Sequence, residues 1–82
     1  MNLEIITPDK KVFAGEAVAV TFPGSEGQFQ VLDNHAPLVS TLGVGNVVVE
    51  TTPGSPRETY RVEGGVVEVL HNKVLVLAEA VV

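Results

Sequence analysis

Apolar and polar residues alternate along much of this chain with a period of two. In residues 16–22, Val18, Val20 and Phe22 fall on one side and the smaller Ala17, Ala19 and Thr21 on the other. Residues 57–63 set Tyr60 and Val62 against charged or polar neighbours. Residues 73–78 are apolar on both sides after Lys73, the pattern of a central strand covered on both faces. Weaker strand patterns cover residues 3–7, 11–13, 28–32, 38–42, 46–51 and 66–70. Together these predict about nine short strands, spaced as in a sandwich or barrel.

Glycine and proline punctuate the chain too often for helices. Six residues separate Pro8 from Gly15, seven separate Gly15 from Pro23, and seven separate Pro56 from Gly64, whereas a globular helix usually runs about 8–20 residues without interruption. The breakers carry turn chemistry. Pro8-Asp9, Pro53-Gly54-Ser55-Pro56 and His71-Asn72 read as turns, and Gly24, Gly27 and Pro37 bound others. Asn34 suits a left-handed turn position. Gly64-Gly65 between two strand patterns predicts a bulge or sharp bend. The expected fold is all-β: one small β-sandwich of nine to ten short, mostly antiparallel strands over residues 1–82.

Composition sharpens this picture. The chain has seventeen Val, three Phe, one Tyr and no Trp, so its core must be aliphatic. It has no Cys, which removes disulfides and thiolate metal sites. The net charge is −5, with the five Lys and Arg scattered. No basic stripe for nucleic acid is present, and this acidity opposes docking to anionic lipid. No apolar run reaches the roughly 20 residues of a membrane span, and Met1-Asn2-Leu3-Glu4 does not begin a signal-peptide pattern. A soluble intracellular domain is expected.

Catalytic chemistry is not expected. Asp33 and His35 share one face of an extended chain, but Ser25 sits in no nucleophile-elbow sequence. His35 and His71 are too few for a metal site. Gly24-Ser25-Glu26-Gly27 lacks the Lys and following helix of a phosphate loop. No catalytic, cofactor-binding or metal-binding residue is assigned. What remains is contact: Glu26, Gln28 and His35 flank turns and are expected at one rim, where partner-binding loops commonly gather.

Residues 21–38, TFPGSEGQFQVLDNHAPL, closely resemble the signature stretch of ATP synthase epsilon subunits. Three further colinear stretches are similar to that family: an opening hairpin (LEIITP, then VFAGE), a glycine-pair junction (VEGGVVEV) and a last strand (NKVLVLAE). The resemblance implies the N-terminal β-sandwich domain of an epsilon subunit, in a short form lacking the C-terminal helical hairpin. It implies a non-catalytic central-stalk subunit in a hetero-oligomeric, proton-translocating complex on the cytoplasmic face of the bacterial inner membrane. The implied partners are the gamma shaft and the c-ring, with Glu26, Gln28 and His35 facing the ring. Some positions depart from the family. Asp33-Asn34 stands where Pro-Gly is common, Gln28 where some members are acidic, and Glu63 where a small neutral residue is frequent. A second reading is a free-standing β-sandwich binding a small ligand or protein. Exposed stacking aromatics would favour it, yet Phe13, Phe22, Phe29 and Tyr60 all lie in strand patterns.

Overall fold

The computed structural model describes residues 1–82. It contains seven strands and no helix: β1 (Asn2–Ile6), β2 (Lys11–Glu16), β3 (Ala19–Gly24), β4 (Gly27–Leu32), β5 (Leu38–Glu50), β6 (Glu58–Leu70) and β7 (Lys73–Ala78). They hydrogen-bond in the order β2-β1-β7-β6-β5-β3-β4. Only β1 and β7 run parallel; every other pair is antiparallel.

The count is seven rather than nine because two pairs of expected strands are continuous. Both β5 and β6 are thirteen residues long. The first half of β5 lies against the second half of β6, with Leu38 opposite Val69 and Leu42 opposite Gly65. Their other halves pair from Val44–Glu63 to Val49–Glu58. The ribbon bends between these halves without ending. Gly64 and Gly65 supply the bend, with φ of 83° and 140°, a region L side chains rarely occupy. The glycine pair is therefore a bend, as the sequence predicts.

Across the fold, β3 meets the same bend. Its register against β5 shifts between Thr21 and Gly24, and Pro23, which has no N–H, falls in that gap. Gly45 passes under Pro23 so closely that a Cβ there would lie 2.7 Å from the proline Cβ.

Bending brings the two halves of the sheet face to face as a sandwich. Sixteen buried residues, from every strand except β2 together with Met1 and Ala17 just outside the strands, form one cluster. Leu3, Ile5, Val67, Val69, Val74 and Val76 come from one layer, and Val20, Phe22, Val31, Val47, Val49 and Val62 from the other. Phe22 is the one fully buried aromatic; Phe13, Phe29 and Tyr60 are partly buried and pack against the cluster. No polar or charged residue is buried, so the core carries no desolvated polar group to satisfy. The segment after β7 runs back along β6: the Glu63 N–H donates to the Ala80 carbonyl and the Val82 N–H to the Arg61 carbonyl, each at 3.0 Å.

One expectation is corrected. β7 is central in its sheet, between β1 and β6, but only Val74, Val76 and Ala78 point into the core. Leu77 on its other face is 50% exposed. A two-layer sandwich covers only the inner face of each layer, so the second apolar face of this strand stays open. No helix is long and apolar enough to cross a membrane.

Candidate functional site

Two surfaces stand out once the fold is assembled. The first is the free edge at β4, which pairs only with β3. Glu26 sits at the tip of the β3–β4 hairpin, exposed. Gly24 lies opposite Gly27, and a Cβ on Gly24 would come within 2.5 Å of the Gly27 carbonyl oxygen and 2.9 Å of the Phe29 ring. Only glycine fits there. The tip is fastened to β5: the Ser25 N–H donates to the Thr41 carbonyl at 3.0 Å, and the Ser25 and Thr41 hydroxyls share a hydrogen bond.

Along β4 the pleat sorts the side chains. Phe29 and Val31 turn inward, while Gln28, Gln30 and Leu32 are exposed on the other face. Gln28 thus heads a row of three, two of which the sequence reading missed. The alternation in residues 28–32 was the available signal.

His35 lies beyond the opposite end of β4, in the loop over residues 33–37. Its N–H donates to the Leu32 carbonyl at 3.2 Å. Its ring Nδ1 lies 2.7 Å from the Ala36 carbonyl oxygen. A carbonyl oxygen can only accept, so this contact places a proton on Nδ1. Asn34 before it is left-handed, with φ of 62°, as the sequence predicts. Its N–H donates to Asn72 Oδ1 at 2.8 Å. The Asp33 carboxylate pairs with the Met1 ammonium group, which also donates to the Ala17 carbonyl at 2.9 Å.

Glu26, Gln28 and His35 therefore do not meet at one rim. Four residue steps of strand, about 13 Å, separate Gln28 from Leu32, so the three form a strip along one edge. The same geometry disperses the imagined triad. Ser25 is bonded to Thr41, Asp33 to Met1 and His35 to Ala36, with β4 between Ser25 and the other two.

The second surface is the outer face of the layer made by β1, β7 and the adjoining halves of β6 and β5. Ile6, Leu77 and Val66 line up across three strands through the pairs Ile6–Leu77 and Val66–Leu77. Leu75, Leu70 and Val39 extend the patch; Val39 is 68% exposed. Glu4, Glu68 and Lys73 are interleaved with it on the same face. Single exposed apolar side chains are ordinary, but here they form a row across adjacent strands, which makes this face a candidate contact surface. Between β2 and β6, packed against the core cluster, the Tyr60 ring meets Phe13 edge-on, at 5.9 Å between centroids. Burial and the hydrogen-bonded Glu58 carboxylate raise its hydroxyl above the ordinary phenol pKa.

Residues 1–82 match the model of a family described as the ATP synthase delta/epsilon chain, beta-sandwich domain. The chain belongs to that family. An ATP synthase epsilon chain from Leptospira borgpetersenii is 44% identical over 79 residues, covering 96% of this chain and 61% of the relative. One from Chlorobium limicola is 40% identical over 80 residues, covering 98% of this chain and 90% of the relative. The chain thus spans about three fifths of the first relative's length and most of the second's. Among solved structures, a chain in the Euglena gracilis mitochondrial ATP synthase (OSCP/F1/c-ring) superposes with a TM-score of 0.88 at 27% identity, covering 98% of this chain and 51% of that one. A chain from the Tetrahymena thermophila mitochondrial ATP synthase central stalk and c-ring gives 0.85 at 15% identity and supports the delta/epsilon fold alone.

Proposed function

We propose that this chain is a non-catalytic part of the central stalk of a rotary ATP synthase, joining the gamma shaft to the c-ring so that proton flow is coupled to ATP synthesis. The observation that carries the reading is the pairing of two separate uncovered surfaces on one rigid core. A torque-transmitting element needs two contacts that cannot shear against each other, and a sandwich with a single buried cluster supplies that stiffness. The β4 strip, with Glu26, Gln28 and His35, suits the polar loops of a ring. The apolar face around Leu77 suits a permanent shaft contact, since lasting interfaces are the more hydrophobic ones. The site of action would be the cytoplasmic face of the bacterial inner membrane.

Cysteine at Gln28 in the assembled enzyme is expected to cross-link to the polar loop of a c-ring subunit. Cross-linking only to catalytic-head subunits would reverse the orientation. For the other surface, Leu77→Glu is expected to weaken association with gamma on the order of tenfold, because half a leucine's burial is lost and a carboxylate must be desolvated. Its effect on the isolated fold should stay within about 1 kcal/mol, as the side chain is half exposed. Calorimetric titration with gamma and denaturant unfolding separate the two; unchanged affinity would remove Leu77 from the shaft contact.

A further inference from the structure

We infer that Asn72, in the β6–β7 turn, is a positioning residue for the loop that presents His35. The inference rests on the reading that this loop faces the ring. The turn has two residues, His71 and Asn72, between the paired Leu70 and Lys73. Both are left-handed, with φ of 50° and 61°. Glycine is the cheapest residue for such a backbone, so turn formation alone does not call for an amide side chain at 72. That side chain reaches across to another element: Asn72 Oδ1 accepts the Asn34 N–H at 2.8 Å. The Asn72 carbonyl also accepts the Asn2 N–H at 3.0 Å. One residue thereby ties together the β6–β7 turn, the start of β1 and the loop after β4.

The loop needs such a tie. Asn34 is itself left-handed, which costs free energy unless the surroundings hold it. The loop's internal bond, from the His35 N–H to the Leu32 carbonyl, leaves the Asn34 N–H to Asn72. The neighbouring Asp33–Met1 pair is 48% exposed at the carboxylate and is screened by solvent. The Asn34–Asn72 bond is directional and fixes the Asp33–Asn34 peptide, while the next peptide, Asn34–His35, is held by its own bond to the Leu32 carbonyl.

Amide hydrogen exchange of this chain tests the tie directly. Asn72→Gly keeps a residue that accepts the turn conformation and removes the acceptor. It should speed exchange of the Asn34 amide about tenfold, the effect of losing one modest hydrogen bond, and leave core amides of β6 and β7 unchanged. Asn72→Asp keeps an acceptor oxygen and should stay near the parent. In the assembled enzyme, the cross-linking yield from His35→Cys to the ring loop should drop with Asn72→Gly and recover with Asn72→Asp. Unchanged Asn34 exchange in Asn72→Gly, identical behaviour of the two variants, or equal cross-linking yields would overturn the inference. If His35→Cys gives no ring product with Asn72 intact, the ring-facing reading fails, and exchange alone decides the role of Asn72.

Discussion

Gly65→Ala is expected to destabilise the fold by about 3 kcal/mol or more and to lower its melting temperature by roughly 12–24 °C. Two independent effects combine there. The backbone has φ of 140°, and a Cβ would stand 2.3 Å from the Leu77 carbonyl oxygen and 2.9 Å from the Ala78 Cα. Those are backbone atoms of β7, an interior strand paired on both sides, and they cannot swing aside as a flexible side chain would. An 82-residue domain has only about 4–12 kcal/mol of stability in total, so the variant should be largely unfolded under mild denaturant. Gly54→Ala is the control. Its φ is 77°, but nothing lies within 4 Å of the added methyl, so it should cost only about 1 kcal/mol. Urea unfolding of both decides the matter. Equal midpoints would show that the β6 bend tolerates a side chain and that its tight geometry is not what closes the sandwich.

The same glycines show where reading the sequence stopped short. Strand positions, the all-β class, the left-handed Asn34 and a turn at His71-Asn72 were legible, because alternation and turn chemistry are local. The fusion of expected strands into β5 and β6 was not. Glycine marks both a strand that ends and a strand that bends. Only the partner's register, Leu42 opposite Gly65 and Val44 opposite Glu63, distinguishes them. The outer face of β7 is the parallel case. Leu75 and Leu77 read as doubly covered because the pattern records that a face is apolar, not whether the same chain covers it.

The candidate surfaces divide the same way. The exposed row Gln28, Gln30 and Leu32 follows from the pleat of one strand and was open to a reader who applied it. The role of Asn72 was not, since its partner Asn34 lies 38 residues away and no local pattern joins them. Glu26 and His35 both flank turns, but at opposite ends of β4, so the expected rim takes the form of a strip along that strand.

Phe22→Ala is expected to cost about 3–5 kcal/mol, at the upper end of that range. Phe22 is fully buried in β3, between β5 and β4. Its ring packs on Phe29 at 5.4 Å between centroids, a contact contributing about 0.5–1.5 kcal/mol beyond area alone. The cavity left behind should persist. Val20, Val31, Val47, Val49 and Val62 share the cluster with Phe22, and β-branched side chains on paired strands have little freedom to turn into a void. A core of leucine or methionine would close more of the gap. The damage should also spread to the candidate ring-facing strip. β4 is held only by β3, and the Phe22–Phe29 contact anchors its inward face, so Phe22→Ala should loosen β4 before the rest of the sheet. Leu32→Ala, at a side chain 53% exposed on the same strand, should change stability by about 0.5 kcal/mol or less. Urea unfolding gives the energies, and amide exchange shows whether β4 protection falls ahead of β7 protection. A loss below about 2 kcal/mol would mean that the valine cluster collapses onto the gap, and uniform loss of protection would mean that β4 is no weaker than the sheet it borders.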